Sequence, residues 1–174
     1  NVTADLDGAR AMQRLHEDRD FLEEILDRYT EWSLAVAERV CAMGFDVYVT
    51  TDDMAFKTAP MFSPEVFRTI VIPRMKRLAE VVSLPWVVHS DGNIEPFLDD
   101  LVDLGVAGIH PVEKGAMDIA AVKKRYGERL CVLGNVDLNL LRAMGLTEDQ
   151  IASAQFMKPV GCDRCNGMGY HGRL

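Results

Sequence analysis

The stretch WVVHSDGNIEPFLDDLVDLGVAGIHPVE, residues 86–113, contains a complete strand–helix–strand unit. A first apolar run ends in polar residues at His89, a short helical segment follows and stops at Gly105, and a second apolar run ends at His110. Two strands joined by a helix through short links predict a right-handed βαβ unit with parallel strands. The strands are apolar runs rather than alternating ones, which is typical of a sheet covered on both faces.

The same order of strand and helix continues on both sides of this unit. Residues 45–53 and 129–137 predict two further strands, and helices are predicted over residues 20–43, 63–82 and 117–127. Four strands in this order predict an α/β fold, either part of a barrel or an open parallel sheet.

Local signals mark the helix ends. Ser63 followed by Pro64 is an N-cap with proline at the first helical position, and Asp118 is a second N-cap. Gly44 is expected to stop the first helix. Pro73 lies inside the second helical pattern, so we expect a kink or two abutting helices there.

Composition excludes several classes of function. The 174 residues carry a formal net charge of -8, which disfavours nucleic acid as a partner. No apolar run approaches the roughly 18 residues of a membrane span. Cys41 and Cys131 lie in apolar sequence and are expected to be buried, whereas Cys162 and Cys165 are spaced as a metal knuckle. This pattern is typical of a reducing compartment, so we predict a cytoplasmic protein.

Each of the four predicted strands ends in polar residues at its carboxyl end, the edge where α/β folds build their sites. These residues are Asp52, Asp53, His89, Asp91, His110, Glu113, Asn135 and Asp137. Carboxylates and imidazoles that converge there can act as general acid and base, bind a metal, or hydrogen-bond a polar substrate. Solvent contact at strand ends would also explain some of them.

The segment His89-Ser90-Asp91 is the sharpest of these features. Residues two apart on a strand point the same way, so His89 and Asp91 can reach one metal ion, with Glu113 as a third ligand. In the alternative, His89 caps the strand and Asp91 forms a turn with Gly92. The same alternation sends Asp52 and Asp53 to opposite faces, so only one of them enters the site.

The order of these motifs resembles the uroporphyrinogen decarboxylase superfamily. The matching segments are TDDMAFKTAPMFSPEVFRTIVIPRMKRL and VVHSDGNIEPFLDDLVDLGVAGIHPVEKGAMDIAAVKKRYGERLCVLGNVDLNLL, within about residues 20–141. The resemblance implies a partial (β/α)8 (TIM) barrel with about four parallel strands and a site at its carboxyl mouth. It implies either cofactor-free decarboxylation or cobalamin-dependent methyl transfer, in which zinc activates a thiol or methyl carrier.

The resemblance also implies roles for the site residues. Zinc enzymes of this superfamily typically carry H-x-C-G where this chain has His89-Ser90-Asp91-Gly92, so a mixed His/Asp/Glu zinc site is expected, with His89 and Asp91 as metal ligands. Asp53 and Glu113 are the expected catalytic residues. The residues expected to bind substrate are Asp52, His110, Asn135 and Asp137.

The acidic strand ends and the positions of the arginines help to choose between the decarboxylase and methyltransferase branches of the superfamily. Arg68, Arg74 and Arg77 are predicted on helices, away from the site, so a polycarboxylate substrate is disfavoured. We therefore favour a small-molecule substrate or a corrinoid or thiol methyl carrier over a uroporphyrinogen. Four strands, where a closed barrel has eight, predict a segment incomplete for catalysis that self-associates through unpaired sheet edges.

The tail, residues 142–174, differs in character from the segment 1–141. It resembles the zinc-binding end of type II secretion and type IV pilus assembly ATPases, with Cys162 and Cys165 as metal ligands. No Walker A loop occurs, so no nucleotide cofactor is expected. The tail supports an alternative function for the protein, that of a non-enzymatic zinc-knuckle binding module. The two resemblances together predict a natural fusion, an artefact of genome assembly or a truncated gene. A third hypothesis for the function, beside the enzyme and the binding module, is an inactive chimeric fragment.

Overall fold

A computed structural model describes residues 13–15, 17–134, 145, 147, 149 and 150. The chain divides into two compact units, and the fold and site described below lie in the first, Asn1–Val136. Within the described residues, no helix is long and apolar enough to cross a membrane. The predicted boundary near residue 142 lies outside the described residues and stays a prediction.

Helices and strands alternate along the described part of the first unit. In chain order they are α1 Arg19–Cys41, β1 Tyr48–Thr51, α2 Pro64–Val66, a π-helical turn Phe67–Val71, α3 Ile72–Val81, β2 Trp86–His89, a 3-10 turn Glu95–Phe97, α4 Leu98–Asp103, β3 Gly108–His110, α5 Ile119–Tyr126 and β4 Cys131–Val132. All four predicted strands are therefore present.

The strands form one parallel sheet in the order β1-β2-β3-β4. Each strand pairs with the next one in sequence, in a register that aligns Thr51 with His89 and His89 with His110. The predicted α/β fold with about four parallel strands is confirmed. Because parallel neighbours share direction, the carboxyl ends of all four strands lie along one edge.

Among the described residues, the helices cover one face of this sheet. Trp86, Val88 and Ile109 are buried on that face, whereas Val49 on the opposite face is 53% exposed. The expectation that both faces are covered is wrong for the described residues, because their helices leave the face that carries Val49 open. The expectation of a buried Cys131 is wrong for the same reason, since this residue is exposed.

The predicted helix ends are largely confirmed. The Ser63 side chain accepts a hydrogen bond from the Val66 N–H at 3.2 Å, and Asp118 caps α5 in the same way. The helical pattern around Pro73 is broken as expected, because the π-helical turn Phe67–Val71 precedes α3. A π-helical turn is a common place for a helix to bend.

Three phenylalanine rings fix this broken helix on its neighbour. The Phe67 ring stacks on the Phe97 ring with centroids 4.1 Å apart, and the Phe62 ring stacks on Phe97 at 5.5 Å. Phe67 and Phe97 are fully buried. Offset stacking of this kind adds about 0.5–1.5 kcal/mol for each pair beyond the burial of apolar area. The cluster therefore holds the connection after β1 against the connection after β2.

Candidate functional site

The site lies where β1, β2 and β3 end. The β1–β2 register places Thr51 beside His89, and the chain after each strand then carries Asp53 and Asp91. The Asp52 N–H still donates to the His89 carbonyl at 3.1 Å, so the two loops begin side by side. Adjacent parallel strands thus deliver side chains from distant parts of the sequence to one place.

Three of these side chains form a group that could hold a metal ion. Asp53, His89 and Asp91 each present one ligand atom, and these atoms lie within 4.8 Å of one another. The His89 Nε2 atom is 3.8 Å from Asp53 Oδ1. The same Asp53 oxygen accepts a hydrogen bond from the Asp91 N–H at 3.0 Å, which ties the loop after β1 to the loop after β2.

His110 reaches the group from β3. Its Nδ1 atom lies 2.8 Å from Nδ1 of His89, and the two ring centroids are 5.0 Å apart. The pairing follows from the register, because residues opposite each other on parallel strands face the same side of the sheet. His110 therefore contacts His89 directly and lies beside the group of Asp53, His89 and Asp91.

The Ser90 side chain joins the loop after β1 to the loop after β2. It is fully buried, and its Oγ atom accepts a hydrogen bond from the Met54 N–H at 2.9 Å and donates one to the Asp91 carbonyl at 3.1 Å. Strand alternation explains this placement, since Ser90 points away from the face that carries His89 and Asp91. One hydroxyl thus fixes the backbone next to both carboxylates of the group.

Gly92 and Glu113 close the far side of the same loop. Gly92 has a φ of +83° and donates its N–H to Glu113 Oε2 at 3.0 Å. A Cβ atom at Gly92 would lie 2.5 Å from the Ala55 carbonyl oxygen, so only glycine fits. The other Glu113 oxygen pairs with Lys57 Nζ at 3.1 Å. Glu113 is therefore engaged with the loops, and within the described residues the third position of the metal-capable group belongs to Asp53.

Asp52 is not part of that group. The residue is exposed, yet the protein packed around its carboxyl raises its pKa, and the neighbouring Asp53 carboxylate adds to the effect. A raised pKa means that Asp52 holds a proton more readily than a free aspartic acid does.

The structure unites some of the predicted site residues. Asp53, His89 and Asp91 come together, His110 contacts His89, and Glu113 binds the loop that carries Asp91. Asn135, Asp137, Cys162 and Cys165 lie outside the described residues. Sequence reasoning missed Ser90 and Lys57. Ser90 had a usable signal, since a polar residue at an inward position of a strand must find a buried partner.

The three arginines considered from sequence all face acidic partners on helices. Arg68 Nε donates to both oxygens of Asp100, at 2.9 and 3.0 Å. Arg74 pairs with Glu23 and Asp27 on α1, and Arg77 pairs with Glu31. None of these guanidinium groups is directed to the strand ends, so they do not offer the bidentate contacts that a polycarboxylate requires.

The donor chemistry of the group fits a zinc ion. Imidazole nitrogen and carboxylate oxygen are both zinc ligands, and three protein ligands are the number found in catalytic zinc sites. Bonds of about 2.1 Å give a tetrahedron with edges of about 3.4 Å. The 3.8 Å separation of His89 Nε2 and Asp53 Oδ1 is near this value, and all three ligand atoms lie within 4.8 Å of one another.

Comparison with known proteins gives a consistent set of relatives. The uroporphyrinogen decarboxylase (URO-D) family model matches residues 4–156. Two methylcobamide:CoM methyltransferases MtaA, from Methanosarcina barkeri and from its strain Fusaro / DSM 804, are 32% and 30% identical over 117 residues, 67% of this chain. These alignments cover 34% of each relative, so the chain spans about a third of the length of the curated relatives it matches.

A solved structure supports the same relationship. A methyltransferase from Methanosarcina mazei aligns with a TM-score of 0.63 and 30% identity, over 74% of this chain and 37% of that one. A separate match, to the type IV pilus assembly ATPase PilB of Thermus thermophilus, is 36% identical over 70 residues, 38% of this chain and 8% of that protein. The PilB match gives weak support to the predicted likeness of the tail.

Proposed function

Because the chain belongs to the uroporphyrinogen decarboxylase family and forms part of its (β/α)8 barrel, we propose that it carries the metal half of a methyltransferase site. In this proposal Asp53, His89 and Asp91 bind zinc, and the methyl acceptor is a thiol of the CoM type. The observation that carries the proposal is the group of three ligand atoms within 4.8 Å at the strand ends. The two MtaA relatives, named for methylcobamide and CoM, supply the substrate class.

Zinc bound there would lower the pKa of a coordinated thiol and present it as a thiolate. The protein's own residues do the remaining work. Asp53 and Asp91 supply two negative charges that balance a divalent cation, and His89 supplies a neutral nitrogen. The Ser90 and Glu113 contacts hold the loops after β1 and β2 together. The metal-binding side chains are therefore in place before the metal binds.

The decarboxylase branch is the less favoured assignment. A uroporphyrinogen is a polycarboxylate, and its recognition calls for cationic side chains at the mouth of the barrel. Arg68, Arg74 and Arg77 pair with acidic partners on helices. The described strand ends carry carboxylates, and the Lys57 ammonium there is paired with Glu113. The negative charges of Asp53 and Asp91 at these partly exposed strand ends disfavour such a substrate.

The first experiment is zinc content per chain by elemental analysis. We expect about one zinc at the strand ends in wild type, and its loss in His89→Ala and Asp53→Asn. The matched control is Asp46→Asn, because Asp46 is an exposed aspartate before β1 with no place in the group. Zinc retained in His89→Ala would contradict the metal assignment.

A second experiment separates methyl transfer from metal binding alone. Cobalt(II) replaces zinc, and CoM is added while the near-ultraviolet absorption is followed. A sulfur-to-cobalt charge-transfer band that appears in wild type and is absent in His89→Ala would support thiol activation at this site. A cobalt-loaded protein that shows no band with CoM would refute the methyltransferase assignment, and this readout does not require the whole barrel.

A second candidate function is the non-enzymatic zinc-knuckle module, which the 70-residue PilB match favours. In this case zinc is held by Cys162 and Cys165, and the domain 142–174 docks to a partner protein. Zinc lost from a Cys162→Ser/Cys165→Ser double variant and kept in His89→Ala would support it. Limited proteolysis near residue 142 would test the boundary, and sedimentation would test the predicted self-association.

A further inference from the structure

The close pairing of the His89 and His110 rings carries a consequence for the metal site. Their Nδ1 atoms lie 2.8 Å apart, which is hydrogen-bond distance. Two neutral imidazoles that face each other through Nδ1 share one proton, because one ring must donate and the other must accept. The pair therefore exists in one of two arrangements, and each fixes the tautomer of both rings.

Only one arrangement suits a ligand role for His89. If His110 donated, His89 would carry its own proton on Nε2, the atom 3.8 Å from Asp53 Oδ1, and could not offer a lone pair there. If His89 donates from Nδ1, its Nε2 lone pair is directed to the group with Asp53 and Asp91. Metal-bound histidines generally donate their second ring N–H to an acceptor in this way.

We infer that His110 is a positioning residue, which accepts the Nδ1 proton of His89 and so leaves Nε2 of His89 as the metal-binding atom. The inference deepens the proposed function and rests on it. It gives His110 a different role from the substrate contact expected from sequence. In this role His110 acts through its contact with His89.

The His110 ring has neighbours on two sides. Its backbone is held by β3, and its carbonyl accepts a hydrogen bond from the Ser90 N–H at 2.8 Å. A Cβ atom placed at Gly134 would lie 3.5 Å from His110 Cδ2, so the chain after β4 approaches the ring on that side. With His89 beside Nδ1 and Gly134 beside Cδ2, the ring sits between two neighbours.

Two substitutions separate the hydrogen bond from the ring. His110→Phe keeps an aromatic ring and removes the acceptor, whereas His110→Asn removes the ring and keeps an oxygen that can accept from Nδ1. We expect zinc affinity, measured by competition with a chromogenic chelator, to fall about 10–100-fold in His110→Phe. We expect His110→Asn to stay within a few-fold of wild type, with thermal unfolding midpoints showing that both variants fold.

Two affinity results would overturn the inference. The first is His110→Phe binding zinc as tightly as wild type, which would make the acceptor irrelevant. The second is an equal loss in both variants, which would assign the effect to ring packing. His89→Ala, which removes the ligand itself, sets the scale for complete loss.

Nitrogen-15 NMR of the histidine rings tests this inference by a readout other than activity. It reports which ring nitrogen carries the proton and which one binds the metal, in protein loaded with one equivalent of zinc. We expect His89 in the Nδ1–H form and His110 in the Nε2–H form. Zinc-loaded wild type with the proton on Nδ1 of His110, or with zinc bound through Nδ1 of His89, would overturn the inference while leaving the metal site in place. Wild type that binds no zinc at the strand ends would instead refute the proposed function.

Discussion

Ser90 offers the most direct test of how the strand-end loops are held. Ser90→Ala removes one oxygen that accepts from the Met54 N–H at 2.9 Å and donates to the Asp91 carbonyl at 3.1 Å. Ser90 is fully buried and Met54 is 6% exposed, so water does not readily replace the lost partner. An orphaned buried donor costs about 1–3 kcal/mol. For a chain of this size each kcal/mol lowers the unfolding midpoint by about 2–4 °C.

The assay is urea unfolding followed by tryptophan fluorescence. Trp86 is a suitable probe, because it is buried on β2 and its Nε1–H donates to Thr50 Oγ1 at 2.9 Å. We expect a lower midpoint for Ser90→Ala with an unchanged dependence on urea, which indicates a change in stability alone. The matched control is Ser83→Ala, since Ser83 is exposed between α3 and β2 and its loss should stay within about 0.5 kcal/mol.

A comparison of the two serine variants decides the case. Equal stabilities for Ser90→Ala and Ser83→Ala would refute the argument that the buried hydroxyl anchors the loops. If the anchor is real, zinc affinity should also fall in Ser90→Ala and stay unchanged in Ser83→Ala. The reason is that the Ser90 hydroxyl bonds the backbone next to Asp53 and at Asp91, both expected ligands.

Two further predictions concern a glycine and an ion pair. Gly92→Ala and Gly44→Ala both place alanine at positive φ, +83° and +81°, at about 1–2 kcal/mol each, but only Gly92 meets a backbone oxygen, at 2.5 Å. Urea unfolding should therefore show a loss for Gly92→Ala that exceeds the loss for Gly44→Ala by about 1–3 kcal/mol, and equal losses would argue against the tight contact. The Arg19 guanidinium, hydrogen-bonded to Glu23, is the main reason that the pKa of Glu23 is lowered, so its carboxylate stabilises the fold above the ordinary pKa and loses this contribution as pH falls through the lowered one. Wild type should exceed Glu23→Gln by less than about 1 kcal/mol at neutral pH, with the difference vanishing in acid, and a difference that grows toward acid would contradict this sign.

The order of strands and helices was predictable because its signals are local. Apolar runs, the Ser63 and Asp118 caps and the break around Pro73 depend on residues within one or two turns of each other. The face of β1 that stays open was not predictable in this way. Whether Val49 is covered depends on what else packs on the sheet, which no local pattern records.

The features of the site also fall into those that the sequence predicts and those that only the tertiary structure determines. The sequence alone determined that polar residues end each strand and that His89 and Asp91 share a face, because both follow from strand alternation. Only the tertiary structure decided that Asp53 completes the group, that Glu113 is engaged by the Gly92 N–H, and that His110 meets His89 ring to ring. These contacts join residues from different strands. They depend on the register between strands and the path of each loop, which long-range packing sets.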